Sequence, residues 1–244
     1  MSANDFSCTQ IGVIHSPWKE KFAVPRQPGL VQDGQGELHL VAPYNQPEAV
    51  RGLESFSHIW ILFIFHQTMA GGWHPTVRPP RLGGNARLGV FATRSTFRPN
   101  PIGMSLVELK GIRCEKNQVI LQLGSLDLVD GTPVVDIKPY LPFAEALPDA
   151  VAGFAQAAPA ADMPVRFSLL AQQQLKLHQK SFPNLARFIR EVLAQDPRPA
   201  YRKGEAGSRE YAAWLLDFNL RWRTDDTGTE VIALDPRENA LLSP

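Results

Sequence analysis

Apolar positions in the first 140 residues fall in short blocks parted by proline and glycine. The segment "IGVIHS" (11–16) is a short apolar opener, and "GELHLV" (36–41) alternates so that Leu38 and Leu40 share one face, the period-two pattern of a half-covered strand. In "HIWILFIFH" the apolar run is continuous from Ile59 to Phe65 and rich in β-branched and aromatic residues. So short a run, bounded by histidines, predicts a strand buried on both faces. The stretches "ARLGVFAT" and "NQVILQLGSLDLV" read as further strands, and "VPRQPGL", "APYNQP", "AGGWHPTVRPPRLGG" and "DGTPV" as the turns between them. Many short strands with Gly/Pro turns predict a mainly β, barrel-like N-terminal domain over residues 1–153 rather than a doubly wound sheet.

The pattern changes after "FAQAAPAADMP" (154–164), an Ala/Pro-rich, almost uncharged linker. In "FPNLARFIREVLAQDPRP" the residues Leu185, Phe188, Ile189, Val192 and Leu193 line one helix face, with Ser181 and Pro183 marking its start and "DPRP" its end. "YAAWLLDFNLRWR" alternates and reads as one half-buried strand showing Trp214, Leu216, Phe218, Leu220 and Trp222 on one side; "TDDTG" turns it into the partner strand "TEVIALDP". Residues 165–236 therefore form a small α+β C-terminal domain.

Charge adds a functional pointer. The net charge of +1 over 244 residues hides an uneven distribution: residues 74–107 hold Arg78, Arg81, Arg87, Arg94 and Arg98 and no acid. Residues 165–223 hold eleven Lys or Arg against five acids, and the last twenty-one residues are acidic. Local basic regions on a nearly neutral chain suit an anionic partner of limited footprint. No apolar run reaches membrane-spanning length, and the N-terminus "MSANDFSCTQ" lacks the basic start and apolar stretch of a signal peptide. The expected compartment is the cytoplasm, with Cys8 and Cys114 as reduced thiols.

Common catalytic signatures are missing. No G-x-G-x-x-G, Walker A, G-x-S-x-G or H-E-x-x-H sequence occurs, and the six histidines show no metal-ligand spacing. Four segments remain as candidates. Prolines bracket Arg26 and Gln27 in a pre-organised loop. His66 and Gln67 are the first polar side chains after the apolar run, which puts them at the mouth of a barrel or makes them an ordinary strand end. The loop "TRSTFRPNPIGMS" offers Arg94 and Arg98, whose forks suit carboxylates and phosphates. In "LGSLDLVDGTPVVDIKPY", Asp127, Asp130 and Asp136 are either hairpin acids or acceptors and bases.

Taken in order, "IGVIHSPWKEKFAVPRQPG", "LESFSHIWILFIFHQ", "RPPRLGGNARLGVFATRSTFRPNPIGMSLVEL" and "LGSLDLVDGTPVVDIKPYLPF" resemble the TsaA/YaeB family of bacterial tRNA methyltransferases, and the likeness extends through "REVLAQDPRPAYRKGE". The resemblance implies a non-Rossmann β-barrel that binds S-adenosylmethionine near the interface of a homodimer, with a small C-terminal domain. It implies methylation of the exocyclic amine of threonylcarbamoyl-adenosine beside the anticodon of threonine tRNA. It places cofactor contacts at Pro25, Arg26, Gln27, His66, Gln67, Arg94, Met104 and the strip Asp127, Leu128, Val129 and Asp130.

Elementary chemistry narrows these roles. Arginine repels a sulfonium, so Arg26 or Arg94 should hold the methionine carboxylate or a phosphate, while Asp127 or Asp130 suits the cationic groups. Met104 and Leu128 could wall the adenine. The acceptor nitrogen adjoins a urea-like carbonyl and benefits from a base, for which Asp127, Asp130, Asp136, His66 and Tyr140 all qualify. Arg98, Arg198, Tyr201, Arg202 and Lys203 fit tRNA contact, by charge or by stacking. The competing readings are a non-catalytic S-adenosylmethionine-responsive RNA-binding module and a small-molecule methyltransferase.

Overall fold

A computed structural model describes residues 6–199, 202–203 and 207–237. In the first half the strands are β1 (Gly12–His15), β2 (Gly36–Leu40), β3 (His58–Ile64), β4 (Thr76–Val77), β5 (Leu88–Gly89), β6 (Ile102–Glu115), β7 (Gln118–Leu123) and β8 (Pro133–Pro139), followed by the single turn α1 (Pro142–Glu145). Six of them close into a barrel in the order β1-β2-β7-β6-β3-β8, every pairing antiparallel. Inward residues such as Ile14, Leu38, Ile61, Val107, Leu121 and Val134 fill it. Closure leaves no edge in need of cover.

The barrel corrects three sequence expectations. β3 buries Ile59, Ile61 and Phe63, but Trp60, Leu62 and Ile64 are only half-buried. A small closed barrel has one interior, so alternate residues of even a continuous apolar run must face outward. "ARLGVFAT" is not a strand of the barrel: Leu88–Gly89 pairs only with Thr76–Val77, and a 3-10 turn follows at Val90–Ala92. Conversely the longest strand, β6, begins inside what reads as a polar loop. It turns Gly103 and Ser105 inward and Ile102 and Met104 outward, which reverses the usual apolar-in signal.

The second half builds its own core. A sheet of order β10-β11-β12-β9 contains β9 (Val165–Phe167), β10 (Arg209–Leu215), β11 (Phe218–Asp225) and β12 (Gly228–Pro236), packed with helices α2 (Leu169–His178) and α3 (Leu185–Ala194). α3 buries the five residues expected of it. β9 and α2 escaped detection: α2 buries only Ala171 and is glutamine-rich, so it carries little periodicity, although Ser168 Oγ caps it by accepting from the Ala171 N–H at 3.1 Å. The supposed single strand over 211–223 is a hairpin. Leu215 faces Phe218 across a turn in which Leu216 adopts φ +53°. Ala213 and Leu215 therefore join Phe218, Leu220 and Trp222 in the core, and Trp214 lies on the other face. No glycine announces that turn.

The segment between β1 and β2 leaves the barrel and enters the second core. Trp18 is fully buried; its ring lies 5.3 Å from Phe188 and its indole N–H donates to Leu126 O at 3.0 Å. Phe22 stacks on Trp222 at 5.7 Å, Gln195 Nε2 donates to Leu30 O at 3.2 Å, and Arg187 pairs with Asp33 through both guanidinium and carboxylate forks. The loop carrying Pro25, Arg26 and Gln27 is thus held between barrel and α+β unit.

Candidate functional site

A cleft of about 280 Å³ opens where β3 runs out of the barrel, lined by Phe63, Phe65, His66, Gln67, Asp127, Leu128 and Val129 among others. Its walls are mostly apolar, with Phe63 and Ile64 at the end of β3 and Phe65 just beyond it, but polar His66, Gln67 and Asp127 line it too. Asp127 is the acid among them. Its Oδ1 accepts a 2.6 Å hydrogen bond from Ser105 Oγ, and Ser105 is buried on the inner face of β6. Burial pushes the Asp127 carboxyl up to about 6, against the opposing pull of the Ser105 hydroxyl, its own backbone N–H and the Arg94 charge. Desolvation dominates, so this carboxylate is a stronger proton acceptor than a surface aspartate.

Arg94 and Gln27 meet from separate loops without lining the cleft themselves: Arg94 Nη1 donates to Gln27 Oε1 at 2.6 Å, and the Arg94 charge reaches Asp127. Val24, two residues before Arg26, lines the cleft, and buried Pro25 fixes the turn between them. Arg26 is exposed on this loop; partial desolvation and the Arg81 charge hold its pKa below the usual value, opposed by Asp196. Lys21 was missed in the sequence. Its Nζ donates to Gln67 O at 2.8 Å and it lines the cleft, adding a cation that only the folding of the β1–β2 segment brings there. Ser105 was missed as well, since nothing but strand register singles out one serine of "IGMSL".

Other candidates lie elsewhere. Asp130 serves the loop: its Oδ1 accepts from Ser16 N–H at 2.8 Å and its Oδ2 pairs with Lys19 at 3.0 Å. Asp136 pairs with Lys138 at 2.9 Å. Tyr140 packs against His58 and Trp60, at the opposite end of β3 from His66, about 20 Å away at strand rise. Met104 pairs across the sheet with Leu62 on the outer face, back to back with Ser105. Arg98 turns into its own loop and donates to Thr93 O at 2.7 Å. Arg198 and Lys203 both bind Asp196, at 2.7 and 3.2 Å. Although burial works against it, those bonds hold the Asp196 carboxyl below its usual range. Arg202 lies in the same segment, and Tyr201 falls outside the described residues.

One glycine shapes the cleft. A Cβ at Gly103 would sit 2.3 Å from Phe63 Cζ, because the Phe63 ring lies across the strand over that position. Gly103→Ala is expected to push the ring toward the cleft at a cost of about 1–3 kcal/mol. Denaturant melts should show the loss. A variant with an unchanged melt would mean that Phe63 moves freely.

A closed antiparallel barrel with a largely apolar cleft at its mouth, a carboxylate in that cleft and an arginine–glutamine pair define a class by fold: a β-barrel with a cleft at its open end and no doubly wound sheet. Residues 13–146 match the model of the tRNA-methyltransferase O N-terminal domain, and residues 160–237 match that of the TrmO C-terminal domain. The chain belongs to the TrmO family. It is 73% identical to the tRNA (adenine(37)-N6)-methyltransferase of Escherichia coli K12 over 234 residues, covering 96% of this chain and 100% of that one. A putative S-adenosylmethionine-dependent methyltransferase, RcsF, of Pseudomonas aeruginosa is 49% identical over 88% of this chain and 91% of its own length. The crystal structure of TrmO from P. aeruginosa matches with a TM-score of 0.78 at 40% identity, covering 97% of this chain and 99% of that one.

Proposed function

We propose that this chain is an S-adenosylmethionine-dependent tRNA methyltransferase acting on the exocyclic N6 amine of adenine 37, with threonylcarbamoyl-adenosine of threonine tRNA as the acceptor. Family membership and the near full-length likeness to the E. coli enzyme support the reaction. The carrying observation in the site is Asp127, a carboxylate held by Ser105 at the floor of an apolar cleft.

The donor set fits S-adenosylmethionine. Phe63, Phe65, Leu128 and Val129 offer apolar surface for a purine, Arg94 with Gln27 or Lys21 suits an amino-acid carboxylate, and Asp127 suits a nearby cation. When bound, that group supplies a methyl on a positively charged sulfur. The chain's own contribution is positioning, water exclusion and proton handling. Asp127 takes the proton that the acceptor nitrogen must lose, a role open to it because Ser105 engages only one oxygen. Asp130 and Asp136 are already committed to cationic or backbone partners, and Tyr140 sits at the wrong end of β3.

A homodimer is part of this reading: the resemblance implies a Met104 contact to cofactor, while the Met104 side chain stands on the barrel's outer face, 48% exposed beside Ile102 at 40%, so that contact would come from a second copy. We read the chain as a barrel domain to about residue 153 and an α+β domain over 165–236, in the cytoplasm. Among the described residues no helix is long and apolar enough to cross a membrane.

Incubation with methyl-labelled donor and threonylcarbamoylated tRNA is expected to label the tRNA. Binding without transfer would leave an RNA-binding module instead. None of the five arginines between 74 and 107 forms an ion pair with a described carboxylate, so tRNA affinity should fall with salt at a log–log slope of roughly 0.7–0.9 per phosphate contacted. A flat response would remove these arginines from the interface.

A further inference from the structure

The arm between residues 68 and 100 starts and ends at the cleft: Thr68 and Thr96 both line it. Between them the chain projects outward as the small β4–β5 ladder, tied by Val90 N–H to Pro75 O at 3.0 Å and His74 N–H to Phe97 O at 3.3 Å. Two large aromatics on this arm are left outside. Trp73 is 54% exposed and Phe91 is 76% exposed, and Trp73 makes no ring contact among the described residues. The Arg98 guanidinium lies over the Phe91 ring, 5.9 Å from its centroid, and Arg98 is itself fastened to the Thr93 carbonyl. The loop under Phe91 is therefore braced, and Arg98 covers the ring on one side while most of it stays exposed. Arg87 directly precedes β5, its guanidinium 3.4 Å from Thr76 Oγ1, and Arg78 directly follows β4.

We propose that Trp73 and Phe91 are stacking platforms for unpaired bases of the RNA substrate, with Arg78 and Arg87 gripping the adjoining phosphates, so that the arm feeds the target base into the cleft. The inference rests on the tRNA reading above. Exposed rings flanked by arginines that form no ion pair among the described residues suit single-stranded nucleic acid recognition, since every base has a stackable face and every linkage a negative charge. The same composition disfavours a second copy of this chain as occupant. A two-fold contact through this arm would set the same acid-free arginine cluster against itself. It also moves the RNA footprint away from Arg198 and Lys203, whose charge Asp196 partly cancels.

The test uses the full-length chain with threonylcarbamoylated tRNA, read by filter binding across a salt titration, by calorimetric S-adenosylmethionine titration and by light scattering. Trp73→Ala and Phe91→Ala are expected to weaken tRNA binding by about 5- to 100-fold each. Cofactor affinity, molecular mass and the salt slope should stay as in wild type. Trp73→Phe should restore most of the loss, since any aromatic face serves for stacking, and the melts of all three proteins should coincide. Arg78→Ala with Arg87→Ala should lower the salt slope by roughly 1.4–1.8. Wild-type tRNA affinity in the Trp73/Phe91 double variant overturns the proposal and leaves the methyltransferase reading intact. No RNA binding by the wild-type chain overturns both. A change in molecular mass on substitution makes the arm a subunit contact and overturns the proposal.

Discussion

Asp127→Asn is expected to reduce methyl transfer by about 10²–10⁴-fold, the range for loss of a positioned general base, while making the protein more stable. Asparagine keeps an Oδ1 acceptor for the Ser105 hydroxyl and so preserves the fold of the β7–β8 connection. It removes a charge that the cleft desolvates. The folded-state value is about 6 against an ordinary 3.8, so the folded protein holds this proton more tightly than the unfolded chain. The stabilising contribution of protonated Asp127 is complete below pH 4 and is lost as pH rises through about 6. At neutral pH the ionised group costs about 3 kcal/mol by that reckoning. Wild type should therefore lose stability between pH 4 and 6 relative to the Asn variant, and kcat/KM should fall as acidification through about 6 protonates the base. Thermal melts of both proteins across that range, with a pH–rate profile of wild type, check both halves. Full turnover in Asp127→Asn would remove Asp127 from proton transfer. An unchanged melt would mean that the carboxylate is better solvated than its surroundings indicate.

The second large effect is expected at a residue outside the cleft. Trp18→Ala should cost about 3–5 kcal/mol, the range for emptying a core tryptophan site, which is much of the total stability of an ordinary domain. It should also weaken cofactor binding. Trp18 joins the two cores: its ring packs on Phe188, its backbone bridges to Leu215, and its N–H holds the carbonyl of Leu126, the neighbour of Asp127. The loop that begins there presents Lys21, Val24 and Gln27 to the site. Trp18→Phe retains most of the packing but leaves Leu126 O without its donor, a cost of about 1–3 kcal/mol. Urea denaturation should rank wild type above Phe above Ala, and cofactor affinity measured under folding conditions should follow that order. A Trp18→Ala protein with wild-type affinity would show that the loop is held without the α+β unit.

Legibility of the chain depended on whether a signal was local. α3 was readable because five apolar residues recur at helical spacing and a proline closes the run. α2 was not, because three consecutive glutamines and a single buried alanine leave no face to detect. The start of β6 reads as a loop because its inward positions there are Gly103 and Ser105, a glycine that makes room for the ring above it and a serine that bonds the carboxylate beside it. The hairpin at Leu216 was misread because a leucine fills a turn position that glycine usually marks.

Residue order alone was enough for a mainly β first half, an α+β second half, an acid-free arginine segment and the family likeness, since each is a property of composition or of short-range periodicity. Which aspartate is enclosed, which arginines are spent inside their own loops, and that the Arg26–Gln27 loop leans on the C-terminal core could be known only from the folded chain. Burial and pairing are set by segments far apart in sequence: Ser105 meets Asp127, Arg94 meets Gln27, and Trp18 meets Phe188 only after the barrel has closed and the second core has packed against its loop.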